Sequence, residues 1–193
     1  WDDPSVLAVA KAYEDFAKKG YFSEQIASNV WPAGQNQELA LGTAAMYLNG
    51  SWLPNEVKDI TGEDFDWGCF SYPAVPNGKD GTDASNYGAQ VFAINKNSKK
   101  ADDAFKLIQY FTKGKYDEKL SQESLGIPAD SENKEWPKQL ASVKPVMEEL
   151  KVRYPWAASA EDNVDMTPIL KENFMKLCGG SISAEEFVAN LKK

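Results

Sequence analysis

Apolar residues recur at helical spacing in one stretch of this chain after another, and the apolar runs between those stretches are short. Val6, Val9, Ala10, Tyr13, Phe16 and Ala17 mark one face of a first helix, with Pro4 suited to its first turn and Gly20 to its stop. Ala101, Ala104, Phe105, Ile108 and Phe111 mark a second. Leu140, Val143, Met147 and Leu150 line a third, and Met166, Ile169, Leu170, Phe174 and Leu177 a fourth that Gly179-Gly180 ends. The last helix opens with Ser183-Ala184-Glu185-Glu186, which has capping-box spacing, and buries Phe187, Val188 and Leu191. Shorter helices are predicted over 35–41, 52–60 and 115–122. Residues 44–48, 66–71 and 89–94 read as buried strands. Helices outnumber strands and are mixed with them, which predicts an α/β fold with helices on both faces of a short-stranded sheet.

Residues 73–83, Pro-Ala-Val-Pro-Asn-Gly-Lys-Asp-Gly-Thr-Asp, form the best internal boundary, a connection stiff at its start and flexible at its end. Its Asp and Asn content invites a calcium-loop reading. Setting Gly81 at the sixth loop position puts Pro76 first and Tyr87 last, where carboxylates are required, so that reading fails.

Charge and residue choice exclude several functions. With 21 basic against 29 acidic residues the net charge is −8, which argues against nucleic acid and against docking on anionic membranes. No apolar run approaches the roughly 20 residues of a membrane span. The absence of His removes Ser-His and Cys-His nucleophile pairs and the commonest general base. No G-x-S-x-G, Walker-type or G-x-G-x-x-G pattern occurs, and no cofactor is implied. Two Cys without His do not make a structural zinc site, so no metal is expected. Cys69 and Cys178 fit one disulfide or two buried thiols equally well. The chain opens on Trp1 and reads as a processed or excised piece.

Within 42–52, Gly-Thr-Ala-Ala-Met-Tyr-Leu-Asn-Gly-Ser-Trp, an apolar run reaches an Asn-Gly turn that delivers Trp52. Ser51 is placed to cap a helix that Pro54 helps begin. This stretch resembles the "G-x-AAM-x-x-G-x-W" segment of the extracellular solute-binding proteins of bacterial sugar ABC importers, the family 1, maltodextrin-binding-like group. Three further stretches resemble that family in the same order. They are 65–73 (Phe-Asp-Trp-Gly-Cys-Phe-Ser-Tyr-Pro), 87–112 (from Tyr-Gly-Ala-Gln-Val-Phe-Ala-Ile-Asn-Lys-Asn-Ser to the helix ending Phe-Thr) and 177–186 (Leu-Cys-Gly-Gly-Ser-Ile-Ser-Ala-Glu-Glu). The resemblance implies a lobe of the type II periplasmic-binding-protein fold, helix-rich layers around a short-stranded sheet. It implies that the chain is the C-terminal half of a bilobal protein about twice as long, whose lobes close on a ligand around a hinge. Residues 1–74 would belong to the C-terminal lobe, 75–84 to a hinge crossing, 85–128 to the N-terminal lobe and 129–193 to C-terminal-lobe helices. On this reading 66–71 and 89–94 are not directly paired.

A sugar site needs flat apolar faces and hydroxyl-matching polar groups, and 6 Trp and 8 Tyr supply enough of both. Trp52 resembles the family's stacking Trp; as a generic Trp it would pack in a core. Trp31, in a Trp-Pro-Ala-Gly loop, and Trp156, in a Tyr-Pro-Trp loop outside regular structure, are candidates for the cleft rim, against packing under their own loops. Tyr87, at the start of an apolar run, is a candidate donor to a hydroxyl, and Asn49 and Glu56 are candidate hydroxyl partners. Asn49-Gly50-Ser51 also fits the N-glycosylation pattern, which a tight turn explains without a glycan.

The resemblance implies a non-enzymatic receptor outside the cytoplasmic membrane, in the periplasm or lipid-anchored at the cell surface. It would be a monomer at full length and would pass a carbohydrate ligand to an ABC permease. Two other classes compete. A glycosidase would need a carboxylate pair about 5–10 Å apart across a cleft. Glu63, Asp64 and Asp66 cluster, but read as a solvated helix exit. A protein–protein interaction module would use the aromatic loops as hot spots. Within the receptor class, a non-sugar ligand is the remaining alternative.

Overall fold

The computed structural model of the chain describes residues 1–155 and 163–192. These divide into two compact units, one built from 1–35, 71–88 and 150–193 and the other from 36–70 and 89–149.

The first unit holds α1 (Pro4–Lys18), the strands β1 (Ala84–Tyr87) and β2 (Val152–Pro155), α7 (Met166–Cys178) and α8 (Ala184–Leu191). Asp3 caps α1 by accepting the Ser5 N–H at 2.9 Å. Ser183 caps α8, its hydroxyl accepting the Glu186 N–H at 3.1 Å, as the capping-box spacing predicts. The helical stripes of α1, α7 and α8 meet in a core of Ala10, Leu177, Ala184, Phe187 and Leu191, flanked by Leu7, Leu170 and Val188. Each fully buried Leu or Phe there contributes about 1.5–3 kcal/mol by leaving water. Leu177→Ala would open a cavity at the centre of the cluster and cost about 2–5 kcal/mol. At the edge of this core the Tyr13 and Tyr72 hydroxyls meet at 2.6 Å, and burial raises the Tyr13 phenol well above its ordinary pKa.

The second unit holds α2 (Ala33–Ala40, all but its first three residues), α3 (Leu53–Thr61), α4 (Ala101–Thr112), α5 (Gly114–Ser124), a 3-10 turn over Lys138–Leu140 and α6 (Val143–Glu149). Leu53, Pro54, Val57, Pro137 and Leu140 are buried there. Asp117 is buried on α5, and its carboxylate accepts the Ala129 N–H (2.8 Å), the Asp130 N–H (3.2 Å) and the Asn133 side-chain amide (3.3 Å). Those bonds hold the 129–133 loop on the helix and give the buried carboxylate three donors. Both cysteines are free; Cys178 is buried, which pushes its thiol up to about 11, and Cys69 is exposed rather than buried.

The helices form close to where periodicity predicts them, except that the stripe from Leu140 to Leu150 is split into the 3-10 turn and a shorter α6 that leaves Leu150 outside. The strands do not form where predicted. Residues 44–48 form no strand, and Met46 and Leu48 are 70% and 72% exposed. The chain entering this run is spent on ending α2, where the Thr43 and Ala44 N–H groups both donate to the Glu38 carbonyl. Residues 66–71 form no strand either; the Trp67 carbonyl accepts the Ser142 hydroxyl at 3.2 Å instead of a strand partner. In 89–94 Val91 is 81% exposed, and Phe92 stacks on Phe111 of α4 with ring centroids 6.1 Å apart. The run touches a helix through Phe92 and forms no strand. The sheet comes from elsewhere: β1 and β2 pair in parallel, with Ala84 opposite Val152 and Tyr87 opposite Pro155. The 153–155 segment is therefore strand, not loop. A mixed, helix-rich structure with a small parallel sheet remains compatible with the expected α/β class.

The amphipathic pattern of α4 also has an unexpected outcome. None of its residues is buried, and Phe105 and Phe111 stay exposed on the face that the sequence assigns to a core. Its main partner is α5.

Candidate functional site

Three of the predicted residues come together where 44–52 runs into α3. Asn49 turns the chain by accepting the Gly50 N–H on its side-chain oxygen at 2.7 Å. Gly50 then accepts the Leu53 N–H at 3.1 Å, and α3 begins with Pro54 in its first turn. Ser51 does not cap the helix. Trp52 itself occupies the cap position, with helical backbone angles and no side-chain cap bond. This geometry folds the indole back over Gly50. A Cβ built on residue 50 would overlap the ring carbons Cζ3, Cη2 and Cε3, so the close approach requires glycine. Trp52 nonetheless remains 42% exposed. An indole braced by backbone and 42% exposed is not a core residue, and it can present part of a flat apolar surface.

Polar groups gather beside it. Glu56, on the first turn of α3, accepts the side-chain amide of Asn36 at 2.9 Å. Asn36 is 7% exposed, on α2. Tyr47 hydrogen-bonds the Asn49 side chain, and partial burial, more than the Glu56 charge, raises its phenol above the ordinary value. Two atoms of this group, Asn36 Oδ1 and Asn49 Nδ2, are buried without a hydrogen-bond partner among the described residues. An unmatched buried acceptor and donor cost about 1–3 kcal/mol each. Together they make the neighbourhood one that gains from a group able both to donate and to accept. Asn36 and Tyr47 were not legible as site residues, since an Asn in a short helix and a Tyr in an apolar run carry no distinguishing pattern. For Tyr47 the one available signal was its nearness to Asn49-Gly50; Asn36 had none.

Tyr87 and Trp31 belong to the other unit. Tyr87 ends β1, exposed, with the Arg153 guanidinium carbon 5.7 Å from its ring centroid. Trp31 is exposed in the loop before α2, joined to Pro32 by a cis peptide bond. Trp156 lies outside the described residues. Of the carboxylates weighed for glycoside chemistry, Glu63, Asp64 and Asp66 are exposed and Asp64 faces Lys138 at 3.4 Å across the surface. No cluster of three metal-ligating side chains occurs among the described residues. No helix among them is long and apolar enough to cross a membrane.

A family model described as bacterial extracellular solute-binding protein covers residues 2–144 of the 193. No curated protein and no solved structure matches the chain.

Proposed function

The chain belongs to the bacterial extracellular solute-binding protein family, and on that premise we propose that it binds a sugar or oligosaccharide outside the cytoplasmic membrane for delivery to the permease of an ABC importer. The family is one of extracellular binding proteins and is generally non-enzymatic. The observation that carries the sugar reading is the Trp52 platform with its polar flank. The indole offers a face to the C–H side of a pyranose. Asn49, Glu56, Asn36 and Tyr47 offer donors and acceptors to hydroxyls beside it. A hydroxyl both donates and accepts, which matches the orphaned Asn36 oxygen and Asn49 nitrogen.

Tyr87, Trp31 and Trp156 extend the proposal as further ligand contacts. The same reading takes the chain as part of a bilobal type II protein, with 75–84 a hinge crossing and 85–128 in the opposite lobe from 1–74 and 129–193. Supporting it are the Pro and Gly content of 73–83 and the lack of regular structure there before β1 begins. Tryptophan fluorescence of the chain, titrated with mono- and oligosaccharides and with a free peptide as control, tests the proposal. Saturable change with one sugar class supports it. Response to the peptide alone, or to no sugar, contradicts it.

A further inference from the structure

We propose a second ligand site, on the junction of α4 and α5, for a six-membered ring that bears a carboxylate. A shallow surface groove of about 400 Å³, open to solvent, lies there, lined by Lys106, Gln109, Tyr110, Lys113 and Tyr116. That volume is at the small end of ligand pockets, which run from about 300 to 1,000 Å³, and suits one or two rings rather than a long chain. The junction is built to hold its shape. Lys113 is the single extended residue between the two helices, and the Gly114 N–H is fixed on the Asp130 carboxylate at 2.9 Å.

The lining specifies a ring and an anion together. Tyr110 and Tyr116 pack edge to face with centroids 5.6 Å apart, leaving both rings exposed to a ligand's C–H face. Lys115, next in the chain, holds its ammonium 5.0 Å from the Tyr116 centroid. The side chains of Lys106 and Gln109 have no hydrogen-bond or ion-pair partner among the described residues. Asp102 and Asp103 sit one turn before Lys106 on α4, yet neither pairs with it. In a chain of net charge −8 the segment 96–119 runs the other way, with seven lysines and four acidic residues. Local positive charge in a negative protein is what an anionic ligand needs to approach and stay. Gln109, with one acceptor and two donors, suits ring hydroxyls.

The site stands apart from Trp52 in its residues, so its test separates from that of the sugar platform. The 15N-labelled chain is titrated with glucuronate, glucose and acetate at about 0.15 M salt, following amide shifts. Glucuronate is expected to bind in the millimolar range or tighter, at least tenfold better than glucose or acetate, with shifts centred on 106–116. Lys106→Gln should weaken it at least fivefold and Lys106→Arg largely restore it. Tyr116→Ala should weaken glucuronate but not acetate, and Trp52→Ala should leave the shifts in place. The proposal is overturned by any of four results. These are no shifts at 106–116 up to about 10 mM glucuronate, acetate binding as well as glucuronate, glucose binding as well as glucuronate, or Trp52→Ala abolishing the response.

Discussion

The Trp52 indole rests on the α-carbon of Gly50, closely enough that no side chain can be placed on residue 50 without moving the ring. Gly50→Ala is therefore expected to swing the indole off its platform without emptying any core. The sugar giving the largest response with the unaltered chain should lose about tenfold in affinity, some 1.4 kcal/mol. Because Trp52 is not a core residue, the melting temperature should fall by only a few degrees. Calorimetry and a thermal melt on the same preparation check both halves. Unchanged affinity in a folded Gly50→Ala chain would mean that the ring's position does not matter to binding.

Asp117 holds the 129–133 loop through three donors on one buried carboxylate. Asp117→Ala leaves those donors without an acceptor, and a cost of about 2–4 kcal/mol is expected. For a chain of this size that is a drop of roughly 5–15 °C in melting temperature. Asp117→Asn, which keeps one acceptor oxygen, should lose less. Differential scanning calorimetry decides it, and a melt within a degree of the unaltered chain for Asp117→Ala would refute the role.

Asp130 supplies an acid-side prediction. The Gly114 N–H, then the Glu132 N–H, hold its carboxyl below the ordinary Asp value. A carboxylate whose pKa is lowered on folding contributes stability that is fully present above the unfolded pKa of about 3.9 and is lost as pH falls through the folded value. Asp130→Asn keeps an acceptor but removes the titration. Its melting temperature should fall less steeply than that of the unaltered chain below about pH 4, and the two curves should run parallel above about pH 5. Identical slopes across the acid range would exclude the contribution.

What could be read from the chain follows the range of the interactions. The faces of α1, α7 and α8 repeat every three to four residues, so their periodicity named Ala10, Leu177, Phe187 and Leu191 directly, and the Ser183 cap is a contact across three residues. β1 is Ala-Ser-Asn-Tyr, polar and short, and its partner β2 begins more than sixty residues later. Nothing local announces such a parallel pairing. Conversely, the apolar character of 44–48 and 89–94 suggested strands, but an apolar run forms one only where another strand meets its backbone. At the site, Asn49, Trp52 and Glu56 were visible because a turn and a helix start fix them within eight residues. Asn36 enters only through a contact across twenty residues, the hydrogen bond of its amide to Glu56.

The most direct measurement is isothermal titration of a sugar panel into the chain and into Trp52→Ala, with melts alongside. Stacking on one exposed aromatic face, with its desolvation, is worth on the order of 1–3 kcal/mol. The account predicts saturable binding of a sugar, a roughly ten- to hundredfold loss on Trp52→Ala, and a melting temperature within a few degrees. Binding that survives Trp52→Ala unchanged, or a variant that no longer folds, would contradict it and make Trp52 a structural residue.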